Sequence, residues 1–370
     1  MSEFVSLLKT CEITTGKLDS NAMVNGGKYP FFTCAPNPLS INTYSFDDDV
    51  ILLAGNNASG KFHCQRYTGK FDAYQRTYVI TAKNNFNIDY IYYYLKMNLL
   101  SFSKKAQGSQ TKFLTMKILN DFVIKNISLD NQIKISSVLK NIDQKIQINN
   151  QINQELEAMA KTLYDYWFVQ FDFPDQNGKP YKSSGGKMVY NPELKREIPE
   201  GWGVTKVCEL QIATGKRDAN FGTENGKYDF WTTANSPIKA DEFSFEGKAI
   251  LIAGNGNFYV NFTDGKFEAY QRTYVIQSED EKLLIFMYMA CLQSVEKLRK
   301  GSNGSIIKYI TIGDVNDISS PFEQDVVDEF VKIYRPLIDL ISKNKIQNQE
   351  LTQLRDWLLP MLMNGQVKVE

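Results

Sequence analysis

The segment Gly69–Ile80 reads GKFDAYQRTYVI, and the segment Gly265–Ile276 reads GKFEAYQRTYVI. Eleven of the twelve positions are identical, and the remaining pair, Asp72 and Glu268, keeps its negative charge. The two segments lie 196 residues apart (265 − 69 = 196) in a chain of 370 residues. The sequence therefore contains an internal repeat of two copies, and the other matching residues can be aligned relative to this block.

The repeat extends to both sides of the block. Upstream, Thr15-Gly16-Lys17 returns as Thr214-Gly215-Lys216, at an offset of 199 residues. Downstream, Gly108-Ser109 returns as Gly304-Ser305, at an offset of 196 residues. Three residues are therefore missing from the second copy in the stretch just before the block, where the sequence predicts a loop.

Each copy predicts a domain of mixed α and β structure. Short runs rich in Val, Ile and Tyr predict strands, and an aromatic-rich run after them predicts a helix. A polar stretch of Gly, Ser, Gln and Lys then predicts a loop. The predicted elements are strands at 50–54 and 78–81, a helix at 89–100 and a loop at 105–112 in the first copy, and strands at 249–253 and 274–277, a helix at 283–298 and a loop at 300–308 in the second.

A long helical segment follows each copy, and we predict that the two helices pair with each other. Their apolar residues recur at steps of three, four or multiples of seven and form a narrow seam. The alternative interpretation is a plain core helix, which would show a wider apolar face. Asn149 and Asn153 interrupt the first seam, and Asn344 and Asn348 interrupt the second at matching positions. Asn residues in such a seam cost stability and fix register, which suits a spacer of defined length. The seam residues are Ile135, Leu139, Ile142, Ile146, Leu156 and Leu163 in the first helix, and Phe330, Tyr334, Leu337, Ile341, Leu351 and Leu358 in the second.

The ends of these helices also carry signals. Ser320-Pro321-Phe322-Glu323 matches a capping box with Pro at the first helical position, and Pro336 predicts a kink or a break. The stretch 171–202, rich in Gly, Pro, Ser and Lys, predicts an extended linker. The predicted boundaries are a domain at 1–128, a helix at 129–170, the linker at 171–202, a second domain at 203–320 and a second helix with the C-terminal tail at 321–370.

The composition excludes several classes of protein. Apolar residues make up 43% of the chain and aromatic residues 13%, enough for sizeable cores. No run approaches the roughly 20 apolar residues of a membrane helix, and no signal peptide is evident. The five cysteines form no CxxC pair, which favours the reduced cytoplasm and disfavours a zinc site. Because the net charge is zero, DNA binding would depend on local basic loops or on a more basic partner.

The sequence predicts a chain without catalytic residues, metal ligands or a bound cofactor. Its single histidine, His63, is replaced by Tyr259 in the second copy, so a His-dependent nucleophile shared by both copies is disfavoured. The stretch Gly55–Lys61 has the spacing of a phosphate-binding loop, but Phe62 stands where Ser or Thr should bind magnesium.

The remaining candidates are polar loops on two matched domains. Asn and Gln can pair bidentately with adenine, Arg and Lys with guanine, and Lys can hold phosphates. Such loops can also be plain turns, but the loop that differs most between the copies lies between the blocks that differ least. We therefore predict that one scaffold presents two different sets of base-reading side chains. The candidate DNA-binding residues are Lys17, Lys28, Asn56, Asn57, Ser59, Lys61, His63, Gln65, Arg76, Ser109, Gln110 and Lys112 in the first copy, and Lys216, Arg217, Lys227, Asn255, Asn257, Tyr259, Asn261, Arg272, Ser305 and Lys308 in the second.

The connecting segments resemble those of the specificity (S) subunit of type I restriction–modification systems. The resemblance is carried by Glu155–Val169, by FDFP…GKPYKSSGGKMVYN…ELKREIPEGW within 171–202, and by LRDWLLPMLMNGQV at 354–367. It covers essentially the whole chain, and these motifs are long enough to be specific.

This resemblance implies the fold and the partners. The fold class would be α+β, with two similar mixed α/β target-recognition domains separated by two long antiparallel coiled-coil helices in a pseudo-two-fold internal repeat. Each domain would read one half of a split site in double-stranded DNA, and the helices would set the gap between the halves. Two methyltransferase (M) subunits and motor-nuclease (R) subunits would be the partners, and they would hold S-adenosylmethionine, ATP and Mg.

Two alternatives remain open at this point. The chain could serve a system in which methyltransferase and nuclease are fused into one polypeptide. It could instead be an interaction scaffold that does not bind DNA and acts through its coiled coil.

Overall fold

The computed structural model describes residues 3–58, 60–83, 85–108, 110–304 and 306–369. Two compact units make up the chain: Met1–Gln151 with Asn344–Glu370, and Ile152–Lys343. Each unit contains one copy of the repeated domain. Of the helices in the described residues, none combines the length and the apolar character needed to cross a membrane.

A six-stranded sheet forms the centre of the first copy. Its order is β2-β8-β5-β7-β3-β4, and all neighbours are antiparallel except β3 and β7. The strands are β1 (Phe4–Ser6), β2 (Cys11–Thr15), β3 (Tyr29–Phe32), β4 (Leu39–Ile41), β5 (Phe46–Ala54), β6 (Asn56–Asn57), β7 (Cys64–Ala73), β8 (Thr77–Ala82), β9 (Lys112–Phe113) and β10 (Val123–Lys125), and the helices are α1 (Leu7–Thr10), α2 (Ile88–Met97), α3 (Leu99–Lys105) and α4 (Met116–Asn120).

The central strand β5 is buried on both faces. Successive side chains of a strand point to opposite faces, so Ile51 and Leu53 join the core that includes Tyr90 of α2. Val50 and Leu52 join a second core on the other face. This double burial explains why residues 50–54 form an unbroken apolar run, as the sequence predicted.

The second copy repeats this topology with two interruptions. It forms two four-stranded sheets, β14-β21-β18-β19 and β16-β15-β20-β17. The equivalents of β5 and β7 are each broken in two, at Gly247 and Gly265, where the backbone adopts φ values of 97° and 103°. The strands of the second unit are β11 (Met188–Asn191), β12 (Arg196–Pro199), β13 (Gly203–Lys206), β14 (Gln211–Thr214), β15 (Tyr228–Trp231), β16 (Ile238–Ala240), β17 (Phe245–Glu246), β18 (Ala249–Ala253), β19 (Val260–Thr263), β20 (Lys266–Ala269), β21 (Thr273–Gln277) and β22 (Ser319–Phe322), and its shorter helices are α6 (Glu281–Gly301) and α7 (Ile312–Asn316).

The length difference between the copies lies in one loop. In the first copy, residues 55–63 connect β5 to β7, which is nine residues. In the second copy, residues 254–259 connect β18 to β19, which is six residues. The prediction that three residues are missing from a loop is therefore confirmed.

The two long helices are α5 (Leu129–Tyr164) and α8 (Gln324–Asn364). Within the first unit, Asn149 hydrogen-bonds to Asn348, and the Arg355 guanidinium lies 2.7 Å from the Asp143 carboxylate. Because the partner number rises as the residue number falls, the two helices are antiparallel. All twelve predicted seam residues are buried or partly buried, and polar contacts join the two helices. The ends of the helices also serve as core elements, which was the alternative interpretation, because seven seam residues pack in the core of their own unit: Ile135, Leu139 and Leu358 in the first, and Leu163, Phe330, Tyr334 and Leu337 in the second.

Two details at the second long helix were predicted wrongly. Ser320 and Pro321 belong to strand β22, which pairs with β13, so they do not form a capping box. The helix begins at Gln324, and the Glu323 carboxylate accepts a hydrogen bond from the Val326 amide at 2.9 Å. The alternative of a break at Pro336 is also wrong, because α8 continues through this residue.

The stretch 171–202 is not an extended linker. Strands β11 and β12 form an antiparallel hairpin within it. Phe171 and Phe173 are 2% and 6% exposed and belong to the core of the second unit, against which Trp202 packs. Its Gly and Pro residues therefore mark turns of a folded segment, and the buried aromatic residues supply the energy that orders it.

Candidate nucleic-acid interface

In each copy the structure brings together two of the predicted loops. In the first copy, β6 pairs with β9, so Asn56 lies opposite Phe113 and Asn57 lies opposite Lys112. In the second copy, Asn255 forms a bridge with Tyr309, and the Gly256 amide donates to the Lys308 carbonyl at 2.9 Å. The loop that differs in length between the copies (residues 55–63 and 254–259, the variable loop) therefore lies against the Gly/Ser loop (residues 105–112 and 300–308) in both domains.

The Gly/Ser loop is a short closed turn held by a glycine. Residues 107 and 113 exchange two backbone hydrogen bonds, and residues 303 and 309 do the same. Gly108 and Gly304 have φ values of 103° and 90°, and a Cβ atom at either position would lie about 2 Å from a carbonyl oxygen of the same loop. Glycine is therefore required at this point of each copy. Ser59, Ser109 and Ser305, which the sequence analysis also assigned to these loops, lie outside the described residues.

The tip of this loop differs chemically between the copies, and the sequence analysis missed two of its residues. Gln110 and Thr111 in the first copy correspond to Ile306 and Ile307 in the second. These isoleucines are 95% and 63% exposed. The signal that could have identified them was present, because they differ from their counterparts inside an otherwise matched stretch. An amide can hydrogen-bond to a base edge, whereas an aliphatic side chain can contact the methyl group of thymine.

Other predicted residues take part in contacts inside their own domain. His63 Nε2 lies 2.9 Å from the Ala35 carbonyl, and Gln65 Nε2 donates to the Pro36 carbonyl at 2.7 Å. Burial lowers the pKa of His63, and its bond to Ala35 opposes that shift. These two side chains therefore position the 33–38 loop beside the variable loop.

The corresponding residues of the second copy differ in exposure. Asn257 donates to the Tyr259 hydroxyl at 3.0 Å, at the exposed end of the variable loop. Asn261, by contrast, lies in β19 and is 8% exposed. Of the predicted residues in this copy, Asn255 and Asn257 are thus better placed than Asn261 for contact with a ligand.

The predicted cations lie in three kinds of environment: over an aromatic ring, exposed to solvent, or in an ion pair. Lys28 and Lys227 each lie over the ring of the following tyrosine, at 5.4 Å from its centroid. Lys216 lies 5.3 Å from the ring of Phe245, while Lys17 and Lys61 are exposed. Arg217 instead forms ion pairs inside its domain, with Glu242 at 2.7 Å and with Glu268 at 3.2 Å.

The Arg217 ion pair neutralises the buried Glu268 carboxylate, whereas the equivalent buried carboxylate of the first copy, Asp72, has no such cation among the described residues. Glu268 is fully buried and accepts hydrogen bonds from Arg217 and Ser244. Asp72, its equivalent, is 1% exposed and accepts a bond from Thr43, and its second oxygen has no partner among the described residues. Leu18 stands where the second copy has Arg217.

We expect Arg217→Leu to lower the free energy of unfolding of the second unit by about 1.5–3 kcal/mol, the range for hydrogen bonds to charged groups. Leu18→Arg is expected to stabilise the first unit, because it supplies Asp72 with a cation. Urea unfolding followed by tryptophan fluorescence reports on both, since Trp357 is in the first unit and the other three tryptophans are in the second. Glu242→Gln, which alters an exposed ion pair, should change stability by less than about 1 kcal/mol. Equal effects of Arg217→Leu and Glu242→Gln would contradict the assignment.

Groups suited to catalysis are scarce in the part of the chain that the structure describes. No cluster of three or more His, Cys, Asp or Glu residues there is placed to hold a metal ion. Burial raises the pKa of the Cys11 thiol to about 11 and that of Cys64 to about 12, so neither is a ready thiolate.

The predicted register residues form a partly buried polar network, in which Asn149 is fully buried and Asn150 is exposed. In the first unit, the Asn149 amide donates to Gln347 at 2.8 Å and to Asn348 at 2.9 Å, and Asn348 donates to Asn150 at 2.8 Å. In the second unit, Asn153 donates to the Ile341 carbonyl at 3.4 Å. Asn344, which belongs to the first unit, is 7% exposed. A shift of one helix along the other would leave these amides buried and unpaired, so the network favours one register.

Comparison with known proteins identifies the relatives of this chain. The profile of the family described as the type I restriction modification DNA specificity domain matches twice, over residues 2–158 and 199–355. The EcoDI specificity subunit of a type I restriction enzyme from Escherichia coli is 35% identical over 186 residues, which is 47% of this chain and 40% of that protein. The MjaIX specificity subunit from Methanocaldococcus jannaschii is 28% identical over 324 residues, which is 79% of this chain and 72% of that protein.

One solved structure shows the same fold. It is the S subunit of a type I restriction–modification system from M. genitalium, with a TM-score of 0.65 and 14% sequence identity. The match covers 97% of this chain and 95% of that one. The repeated domains with their long helices are therefore an architecture already seen in that protein.

Proposed function

This chain belongs to the family of type I restriction–modification DNA specificity proteins, and from that premise we propose that it is the specificity subunit of such a complex. Each domain reads one half of a bipartite site in double-stranded DNA. One observation carries this proposal: the same scaffold occurs twice and presents different side chains at the same two adjoining loops. That is what two unlike half-sites require of one chain.

The chain supplies recognition, and the chemistry belongs to its partners. Methyl transfer would be carried out by two methyltransferase subunits with S-adenosylmethionine, and cleavage by motor-nuclease subunits with ATP and Mg. Support comes from the raised pKa values of the buried thiols and from the single histidine, whose ring is engaged with Ala35. Because all five cysteines are unpaired, the reduced cytoplasm is the compartment that fits.

Two identical partners need two similar docking surfaces, and the long helices offer them. Met159 on α5 and Leu354 on α8 occupy matching positions of the repeat and are 57% and 44% exposed. Trp357, one turn after Leu354, is 57% exposed. Large apolar side chains on an outer helix face are typical of an interface core. The methyltransferase subunits are thus proposed to dock on these faces.

Long-read methylome sequencing of a host with and without the gene tests the proposed function. A split motif whose methylation depends on the chain is expected, and it gives both half-sites, the gap and the methylated base. A genomic neighbour that combines methyltransferase and nuclease motifs in one polypeptide would favour the fused system. If no duplex is retained when the chain is mixed with its methyltransferase, the interaction scaffold is the better description.

Changing the variable loop of one copy should alter one half-site only. For Asn255→Ala/Asn257→Ala, we expect relaxed base preference in one half of the motif and no change in the other. A bidentate contact to a base is worth about 1–3 kcal/mol of discrimination, so the preferred base should lose roughly 5- to 150-fold of its advantage.

The matched variant Asn56→Ala/Asn57→Ala should relax the opposite half. Methylome sequencing of both variants gives the two motifs directly. An unchanged motif in both variants, with normal methylation, would show that these loops do not read bases.

A further inference from the structure

The identical block contains two exposed positions that packing does not explain. Most of its side chains lie in the cores or are half-buried, which accounts for their identity in the two copies. Lys70 and Lys266 are exposed, but each covers an aromatic ring at 4.7 Å. Apart from these lysines, the side chains of the block that are exposed are those of Gln75 and Arg76 in the first copy and of Gln271 and Arg272 in the second.

Shared ancestry of the copies does not account for this pair. Exposed positions beside the block have diverged: Thr68 corresponds to Asp264, and Lys83 corresponds to Glu279, a reversal of charge. Among the described residues, no hydrogen bond or ion pair is found for the side chains of the Gln–Arg pair in either copy. The identity of this pair therefore points to a partner outside the chain that is chemically the same for both domains.

The turn that carries the pair is held rigidly. The Gly55 amide donates to the Arg76 carbonyl at 2.9 Å, and the Gly254 amide donates to the Arg272 carbonyl at 2.7 Å. A Cβ atom on Gly55 would lie 2.3 Å from the Arg76 carbonyl oxygen, and one on Gly254 would lie 2.6 Å from that of Arg272. Since these glycines begin the variable loops, the turn and the loops are fixed to each other by backbone contacts.

A second glycine supports the other side of each turn. A Cβ atom on Gly16 or Gly215 would lie 2.1 Å from a carbonyl oxygen of the Ala-Tyr dipeptide that precedes the Gln–Arg pair. Each turn is thus enclosed by two close backbone approaches. One comes from the repeated Thr-Gly-Lys motif, and the other from Ala54-Gly55-Asn56 in the first copy and Ala253-Gly254-Asn255 in the second. Because the backbone of the turn is already fixed, its arginine loses little additional conformational entropy when it binds a ligand.

In the second copy the pair opens onto a cavity. Its volume is about 350 Å³, and the lining contains Thr214, Gly254, Gln271, Arg272, Tyr274 and Ile310. Of the described residues in this lining, none is acidic, and Arg272, Gln271 and Thr214 offer N–H and O–H donors. A lining that offers hydrogen-bond donors and one cation, with no carboxylate, suits a ligand with a single anionic group.

We propose that the Gln–Arg turn of each domain is a sequence-independent anchor for one phosphate of the DNA backbone, set beside the base-reading loops. The proposal rests on the proposed function, because it assumes that the loops face DNA. A backbone phosphate is the same at both half-sites, whereas the bases are not, which matches an identical turn next to divergent loops. The guanidinium can hold the phosphate bidentately, and the Gln amide can donate beside it.

Salt-dependent DNA binding tests the anchor. The full-length chain, in complex with its methyltransferase, is titrated with a labelled duplex carrying the motif found by methylome sequencing and with a scrambled duplex. For Arg76→Ala and for Arg272→Ala, we expect about tenfold weaker binding to both duplexes. The slope of log K against log salt should become shallower by about 0.9 for each variant and by about twice that for the double variant.

Further variants separate charge, geometry and docking. Arg76→Lys should keep the salt slope while binding more weakly, because it keeps the charge and loses the guanidinium fork. The control Lys182→Ala removes an exposed charge from the folded segment 171–202 and should leave binding unchanged. The methylated motif should be the same for all these variants, in contrast to the loop variants.

Two results would overturn the anchor: a salt slope that the Arg→Ala variants leave unchanged, or a loss of methyltransferase from the purified complex, which would make the turn a protein contact. If the wild-type complex binds both duplexes equally, the proposed function fails instead. In that case, a slope that still becomes shallower with each variant would support a phosphate contact without sequence reading.

Discussion

Deletion of Asn149–Glu155 together with Ser342–Asn348 is expected to abolish methylation at the native motif, by more than about 100-fold. Each deletion removes seven residues, or about 10 Å of helix at 1.5 Å per residue. The two segments correspond in the antiparallel pair, because Asn149 meets Asn348. Seven residues are close to two helical turns, so the seam residues on either side of each deletion still point in the same direction around the helix axis to within about 20°.

The reason for the loss is the geometry of the two half-sites. A spacer shorter by about 10 Å corresponds to about three base pairs of duplex, over which the DNA turns by roughly 100°. The variant can therefore meet the native half-sites neither at the right distance nor at the right angle. Methylome sequencing should show either no motif or one whose gap is shorter by about three base pairs.

A control variant separates length from register. Asn149→Leu/Asn348→Leu removes the hydrogen bonds that these two residues make with each other, with Gln347 and with Asn150, and it keeps the full length of both helices. We expect it to retain the native gap, because the two amides that lose a partner, the exposed Asn150 and the half-buried Gln347, can hydrogen-bond to water instead. An unchanged gap in the deletion variant would refute the role of the helices as a spacer.

The repeat explains why so much of the fold could be predicted from this sequence. A strand inferred in one copy could be checked against the other, and residues 249–253 form β18 with the predicted bounds. The seam of the long helices follows from a period of three and four that no strand would produce. The strands and the seam were both predicted from the spacing of residues that are close together in the chain, and this spacing can be read directly from the sequence.

Two of the errors share one physical cause, because each concerns a contact made far along the chain. The Pro and Gly residues of 171–202 resemble a linker until Phe171 and Phe173 are placed in the core of the second unit. Pro321 fits a helix start by its neighbours, but β13 pairs with it across more than a hundred residues. Local propensity cannot reveal such pairings, and tertiary contacts override it.

The candidate site was predicted incompletely for a related reason. Composition drew attention to Asn, Lys and His, so the exposed Ile306 and Ile307 were overlooked as ordinary apolar residues. Asn261 was included by its residue type, although the pleat of β19 buries it. Whether a side chain is available to a ligand depends on the face of the strand or loop on which it lies, and this is decided by pairing register.

Phe168→Ala is expected to lower the free energy of unfolding of the second unit by about 3–5 kcal/mol, the usual cost of truncating a buried phenylalanine. Phe168 is fully buried and lies in the π-helical turn that follows α5. Its ring centroid is 4.7 Å from that of Phe286 in α6 and 5.2 Å from that of Phe330 in α8. One ring thus joins the end of the first long helix to a helix of the domain and to the start of the second long helix.

Urea unfolding measures this loss. With a slope of about 2 kcal/mol per molar urea, the midpoint of the second unit should fall by roughly 1.5–2.5 M. Val169→Ala alters the next side chain, which is 46% exposed, and should change stability by no more than about 0.5 kcal/mol. The Trp357 signal from the first unit should stay near its wild-type midpoint in both variants.

The same variant links the ring cluster to recognition. If Phe168 fixes the second domain to the helices that space it, methylation should fail at temperatures where the wild-type chain is still active, because the domain unfolds first. At lower temperatures, where the second unit remains folded, the motif should be the same as for the wild type. A loss of stability below about 1 kcal/mol would mean that the core closes around the missing ring, and the cluster would then not be the junction between helix and domain.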